Sequence, residues 1–409
     1  MNQLTTAHAA YSLARFPEDP RDTLRAWDAS DEYLLRQLDG TAALDGTTVP
    51  PVALTGTVVV LGDRWGALAT ALAGSGSSPG SGSGRGAASA PAEIVQISDS
   101  YLAQQATLAN LERNGLAADA VTLRSTQEPP PARIDVLLVR VPKSLALLED
   151  QLLRLAPGVH PGTVVVGTGM VTEIHTSTLK LFERILGPTR TSLAVRKARL
   201  ILCTPDPQLT PGRSAWPVHY TLPADDASLG AAAGLTVSNE AGIFSAERLD
   251  IGTRFLLQHL PTRSGPETVV DLGCGNGVVG TAAALGNPDA EVVFTDESHQ
   301  ALASARATFA ASGSPAKARF LLGDGLSDLP PGSADLVLNN PPFHSHQATT
   351  DAAARRMFAD ARTALRPGGQ LWVVGNRHLN YHVTLRRLFG GCVTIGSGPK
   401  FVVLRATKR

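Results

Sequence analysis

Cysteine is scarce in this chain: Cys203, Cys274 and Cys392 are the only three in 409 residues, and no two stand as C-x-x-C. That excludes a disulfide framework and a zinc site built on cysteines. It also suits a reducing compartment, so the cytoplasm is the expected location. Long apolar runs are missing too. No stretch of about 18 apolar residues occurs, and Met1 to Phe16 lacks the basic-then-apolar pattern of an export signal. No membrane association is expected. Nor is there an excess of charge of either sign, since 36 Lys and Arg face 36 Asp and Glu, which excludes a strongly basic nucleic-acid tail. What remains is globular: 43% of residues are hydrophobic and 18% charged. At roughly 150 residues per domain, the length predicts two or three domains, each able to bury its own core.

Charge is nearly even along the chain as well. Residues 231–409 hold 17 Lys and Arg against 14 Asp and Glu, a difference that ordinary scatter among solvated side chains also produces. Two clusters stand out: Arg190, Arg196, Lys197 and Arg199, and then Arg377, Arg386, Arg387, Lys400, Arg405, Lys408 and Arg409. Either could neutralise phosphates, and either could be a solvated face.

An internal repeat organises the chain. Residues 57–66 read TVVVLGDRWG and residues 268–277 read TVVDLGCGNG, aligned without a gap. Each is a β-branched run that ends in glycine and leads into a small-residue helical stretch, as a strand-turn-helix unit requires. The match continues in order: Ile97 to Ser100 with Phe294 to Glu297, Asp135 to Leu138 with Asp335 to Leu338, and Pro161 to Val166 with Pro367 to Trp372. The reading is α/β: two tandem, doubly wound, Rossmann-like domains. The expected boundaries are 1–203, a linker over 204–234 with a short strand near His219, and 235–409. The copies differ in chemistry. Asp271, Gly275 and Asn276 in the second are Val60, Arg64 and Trp65 in the first, and Asn339 to Phe343 are Val139 to Lys143. The first copy therefore reads as a degenerate scaffold. Its Gly-Ser stretch over residues 74–86 reads as a surface loop.

Four motifs of the second copy carry chemistry. Asp271-Leu-Gly273-Cys-Gly275-Asn276-Gly277 is a glycine turn at a strand tip. Nicotinamide and flavin enzymes use similar turns, but a carboxylate at Asp271 would face pyrophosphate. It suits a ligand bearing an ammonium and a sulfonium, S-adenosylmethionine. Asp296 and Glu297 follow the next strand, where an acid can accept from ribose hydroxyls. Asp296 is the better placed of the two. Gly323-Asp324-Gly325 marks a third strand tip suited to an adenine amine. The fourth motif, Asn339-Asn340-Pro341-Pro342-Phe343, ends a buried strand in two prolines that have no N–H to donate. An exocyclic amine is a poor nucleophile because its lone pair is delocalised into the ring. Acceptance of its hydrogens by the Asn340 oxygen and the Pro341 carbonyl would draw the nitrogen towards tetrahedral geometry, with Phe343 stacked on the ring. His344 and His346 lack a third ligand at metal-site spacing, and Cys274 lacks a His partner. Neither a metal nor a cysteine nucleophile is expected.

These residues, with Ala26 to Leu35, Val141 to Glu149, Ile174 to Leu179, and Phe244 and Ser245 with Leu249 to Phe255, resemble the bacterial ribosomal RNA guanine-N2 methyltransferases, the large-subunit branch more than the small-subunit one. The resemblance covers nearly the whole chain. It implies tandem methyltransferase domains of which only the C-terminal one binds S-adenosylmethionine, releasing S-adenosylhomocysteine. It implies cofactor contacts at Phe244, Asp250, Asp271, Gly273, Gly275, Asn276, Gly277, Asp296, Glu297, Asp324, Gly325 and Asn340. It places catalysis at Asn340, Pro341, Pro342 and Phe343. The implied partner is ribosomal RNA, 23S ahead of 16S, naked or in a pre-ribosomal particle, contacted through Arg196, Lys197, Arg199 and Arg377 by a monomer. The Gly-Ser stretch departs from the family pattern, and Asp324 stands where relatives often carry Asn. A 16S-directed enzyme, a non-catalytic RNA-binding protein and a nicotinamide-dependent oxidoreductase are the competing readings.

Overall fold

The computed structural model describes residues 3–19, 22–44, 47–48, 51–75, 91–342 and 347–409. Phe343, His344 and His346 lie outside the described residues, as does most of the Gly-Ser stretch, from residue 76 on. Two compact units divide the chain, Met1–Ala215 and Trp216–Arg409. Of the span 204–234, expected as a linker, residues from Trp216 on belong to the second unit, because Leu222, Leu229 and Ala232 are buried in its core.

In the first unit the sheet comprises β1 (Thr57–Leu61), β2 (Glu93–Ser98), β3 (Thr122–Ser125), β4 (Ile134–Arg140), β5 (Val159–Met170), β6 (Thr189–Thr191) and β7 (Ala198–Cys203). Their spatial order is β3-β2-β1-β4-β5-β7-β6. The first five are mutually parallel, and β7 runs antiparallel to both its neighbours. The helices are α1 (Ala29–Leu38), α2 (Ala67–Ser75), α3 (Tyr101–Arg113), α4 (Leu145–Leu155) and α5 (Thr176–Ile185). Val58 and Val60 pack into one apolar cluster while Val59 and Leu61 pack into another. The strand is thus covered on both faces, which is why its sequence is continuously apolar rather than alternating.

The second unit begins with a two-stranded ribbon, β8 (Val218–Thr221) and β9 (Thr236–Asn239), followed by α6 (Ile251–Leu257). Its sheet comprises β10 (Thr268–Leu272), β11 (Glu291–Asp296), β12 (Lys317–Leu322), β13 (Ala334–Asn339), β14 (Leu365–Asn376), β15 (Val393–Ser397) and β16 (Phe401–Thr407). The spatial order, β12-β11-β10-β13-β14-β16-β15, repeats that of the first unit, again with one strand, β16, antiparallel to its neighbours. The helices α7 (Val278–Gly286), α8 (His299–Ser312), α9 (Gln347–Ala364) and α10 (Tyr381–Phe389) complete the layers.

The repeat extends to single hydrogen bonds. Asp135 accepts from the Thr57 N–H at 2.9 Å, and Asp335 accepts from the Thr268 N–H at 2.8 Å. Ser100 caps α3 through the Ala103 N–H, and Ser298 caps α8 through the Ala301 N–H. Gly66 and Gly277 both have positive φ, at 73° and 74°. A Cβ on either would lie within 3 Å of a backbone atom of the neighbouring helix, at Thr107 or Ala305. Only glycine meets both demands.

Candidate functional site

The carboxyl ends of β10, β11 and β13 meet at the topological switch point of the second sheet, where β10 is flanked by β11 on one side and β13 on the other. Open α/β sheets bind ligands at such a point. The turn after β10 is stitched to the tip of β11. Gly273 and Cys274 donate their N–H groups to the Thr295 carbonyl, each at 2.9 Å, and Gly275 donates to Asp296 Oδ2 at 3.0 Å. The second Asp296 oxygen accepts from Ser298 N–H at 3.0 Å. Asp296 thus braces the turn with both carboxylate oxygens. A Cβ built at Gly275 would meet nothing within 4 Å among the described residues; the turn is open on that side.

Asp271 sits behind the turn, buried, with Oδ2 accepting from the Gly280 N–H at 2.8 Å in the first turn of α7. Gly280 has to be small, since a Cβ there would stand 2.9 Å from that oxygen and 2.5 Å from Phe294. Burial pushes the Asp271 carboxyl up to about 7, with the Gly280 N–H opposing and the Asp296 charge reinforcing the rise. Burial, with Asp296 and Asp271 adding, also drives the Cys274 thiol well above its ordinary range. A thiolate nucleophile is therefore disfavoured.

At the tip of β13, Asn339 donates to the Leu272 carbonyl at 2.8 Å and so ties β13 to β10. Asn340 donates through Nδ2 to Thr253 Oγ1 at 2.9 Å. Its Oδ1 is buried and has no hydrogen-bond partner among the described residues. Such an acceptor costs about 1–3 kcal/mol unless something supplies a donor. Pro341 follows, buried, and Pro342 is exposed. Thr253 is held in turn by Asp250, the N-cap of α6, whose Oδ2 accepts from the Thr253 N–H at 2.9 Å and lies 3.3 Å from its hydroxyl.

The other expected residues divide. Asp324 and Gly325 reach the tip of β12, but Asp324 Oδ1 is ion-paired with Arg356 of α9 at 2.7 Å. Burial raises the Asp324 carboxyl, Arg356 opposes and Asp328 reinforces. Asn276 turns away from the open side and donates to Asn239 Oδ1 of the ribbon at 2.9 Å. Phe244 is exposed and Glu297 partly so. Arg377 is exposed just past the end of β14, at the same end of the sheet as Asn340. In the first unit Arg196 and Lys197 form a hairpin tip before β7, both with positive φ; Arg196 is paired with Glu32 at 2.9 Å, and Arg199 is half-buried.

The sequence assigns no role to Thr253 or Arg356. Thr253 lies in the family-like segment Leu249 to Phe255, three residues after an N-cap aspartate, and Arg356 carries no signal. A separate cavity lined by Leu257, Ala282, Leu336 and Leu338 shares no residue with this site. Among the described residues no group of three His, Cys, Asp or Glu is placed to hold a metal, and no helix is long and apolar enough to cross a membrane.

Comparison with known proteins follows this division. Residues 1–207 match the family described as the RLMG N-terminal domain, and residues 234–405 match the methyltransferase small domain. The chain is 67% identical to the ribosomal RNA large subunit methyltransferase G of Streptomyces griseus over the full length of both chains. It is 43% identical to that of Aeromonas salmonicida over 99% of both. Among solved structures, the T. thermophilus 16S rRNA N2 guanine methyltransferase, in complex with AdoMet and guanosine, superposes with a TM-score of 0.72. At 21% identity over 100% of this chain and 97% of that one, this likeness concerns the fold. Sequence, topology and site geometry converge: the chain belongs to the ribosomal RNA large subunit methyltransferase G family.

Proposed function

We propose that the second unit transfers a methyl group from S-adenosylmethionine to the exocyclic N2 amine of one guanine in 23S ribosomal RNA. One observation carries the reading: Asn340 spends its amide donor on Thr253 and keeps a buried carbonyl oxygen that meets no donor among the described residues. That oxygen suits a ligand that brings an N–H, as an exocyclic amine does. Pro341 supplies a second acceptor beside it. Together they hold both hydrogens of the amine and pull the nitrogen away from planarity, so that its lone pair becomes available. The aminium formed on transfer is strongly acidic and gives its proton to water as the product leaves, so a general base of matched pKa is not required.

The chemistry of the neighbouring turn suits the cofactor. The open turn at Gly275, the Asp296 carboxylate and the buried Asp271 carboxyl behind them, which a bound cation would ionise, suit a cationic nucleoside. Gly273, Gly277, Glu297, Asp324, Gly325, Asp250 and Phe244 complete the contact set carried by the family resemblance. When bound, S-adenosylmethionine supplies an electrophilic methyl carbon on a positively charged sulfur. The chain's own part is to orient the acceptor amine and exclude water from it.

The amine of a paired guanine is already donating, so the target leaves its stack to reach Asn340. The first unit serves as RNA-binding scaffold, with Arg196 and Lys197 at their hairpin tip, Arg199 beside it and Arg377 of the second unit as phosphate contacts. The choice of 23S over 16S is supported by the name carried by the relatives at 43–67% identity.

The test is transfer of tritiated methyl to protein-free 23S and 16S RNA and to assembled 50S and 30S subunits, all from cells lacking the enzyme. Wild type is expected to form N2-methylguanine in 23S RNA or its subunit alone. Asn340→Ala should lower the rate by about 10²–10³-fold, the scale of one transition-state hydrogen bond, with cofactor affinity reduced far less than the rate. Label in 16S alone would overturn the choice of RNA. Cofactor binding with no label in any RNA would overturn the ribosomal assignment.

A further inference from the structure

We infer that Thr253 is a positioning residue that fixes which end of the Asn340 amide faces the target amine. The inference rests on the proposed reaction for its purpose, but its geometry stands alone. An amide side chain has two nearly isosteric ends, one donating and one accepting. If Asn340 turned over, its NH2 would face the incoming amine, and two donors would meet. The contacts of Asn340 have to forbid that.

They do so through a one-way chain of hydrogen bonds. Asp250 offers carboxylate oxygens that only accept. Its Oδ2 lies 3.3 Å from Thr253 Oγ1, so the single hydroxyl proton of Thr253 points at Asp250. The Thr253 oxygen is then an acceptor towards everything else, and at 2.9 Å it faces Asn340 Nδ2. The donor end of the amide is thereby chosen, and Oδ1 is left turned the other way, buried, with no partner among the described residues. Thr253 is itself only 7% exposed, so water does not readily replace it.

The first unit shows the same contact built from other residues. Its α1 is capped by Asp28 as α6 is by Asp250, and Asp31 holds the N3 place of Thr253. At the tip of β4, Arg140 stands where Asn340 stands, and its Nε lies 3.4 Å from Asp31 Oδ1. The N3 residue of this helix reaches the strand tip in both units. In the second unit that reach carries an uncharged, orientable hydrogen bond.

Three variants decide the matter: Thr253→Val, which keeps shape and removes the hydroxyl; Thr253→Ser, which restores it; and Asn340→Ala, which identifies the Asn340 side-chain amide resonances by their loss. In 15N-asparagine-labelled protein, the Asn340 Nδ2 hydrogens should exchange slowly with solvent in wild type and Thr253→Ser, and fast in Thr253→Val. With RNA, kcat should fall about 10–100-fold in Thr253→Val, the cost of a misaligned reacting group. KM for RNA and cofactor affinity should stay near wild type, Tm should fall by a few degrees, and Thr253→Ser should recover both rate and Tm. Unchanged exchange in Thr253→Val, or a Ser variant as slow as the Val one, would overturn the inference. If wild type methylates no ribosomal RNA, the proposed function fails, and the exchange measurement alone judges Thr253.

Discussion

At the tip of the fourth strand of each sheet, the first unit carries Arg140 and the second carries Asn340, on matched topologies and in matched registers. Arg140 is 1% exposed and is held by Asp28 at 2.6 Å, Glu173 at 2.8 Å and Asp31 at 3.4 Å. Arg64, at the place of the open Gly275, adds a second guanidinium 2.6 Å from Glu173. Where the second unit, among its described residues, keeps an open turn and an acceptor without a donor, the first has an ionic cluster at the matching positions. The cluster is strongly coupled. Burial pushes Glu173 up, but Arg140 and Arg64 outweigh it and pull its carboxyl down to about 2. Burial lifts Asp31 to about 7 despite Arg140. The difference teaches that one strand tip on one topology can hold either an amide with an unsatisfied oxygen or a guanidinium enclosed by carboxylates, and the residue types decide which.

The sharpest way to break this comparison is Arg140→Ala. Removal of one partner of a buried ion pair leaves the others uncompensated and costs about 3–5 kcal/mol, so the first unit should unfold several degrees earlier in calorimetry. Cofactor affinity of the second unit should be untouched. A silent Arg140→Ala would mean that the cluster is hydrated rather than buried.

Gly275→Ala sharpens the contrast from the other side. At φ 53° with nothing within 4 Å of the new methyl, the fold should lose only about 1 kcal/mol. Cofactor affinity, read by calorimetric titration, should fall about tenfold as the methyl takes ligand space, a 1.4 kcal/mol effect. An equal loss of stability and affinity would place the glycine's value in the turn alone.

The smallest effect concerns pH. Asp271 has its carboxyl raised from 3.8 to about 7 in the fold, so its contribution to stability is complete below the lower value. That contribution is lost as pH rises through the higher one. A bound cation favours the ionised form, so cofactor should bind more tightly as pH rises towards 7 and level off above it, with a slope below about one log unit per pH unit. Asp271→Asn should flatten the profile. A slope that survives the substitution would assign the titration to another group.

Much of this was legible along the chain. The repeat reads directly from TVVVLGDRWG and TVVDLGCGNG, because a strand covered on both faces needs a continuous β-branched run and the turn after it needs glycine where φ is positive. The abrupt end of β13 reads from Pro341 and Pro342, which cannot continue a hydrogen-bonded strand. Local rules of this kind act over a few residues, so the residues themselves spell them out. They were enough for the fold class, the repeat and the acceptor-rich strand tip.

What local rules could not reach are contacts between residues far apart in the chain. Asn276 lies in the glycine motif yet turns to Asn239, 37 positions away. Asp324 reaches its strand tip but pairs with Arg356 of a helix that follows it. Most of all, Asn340 is oriented by Thr253, 87 residues earlier. The type of each side chain sets what it can donate or accept. Which partner it meets is set by packing of the helices against the sheet, and hence which of its two ends is left for a ligand.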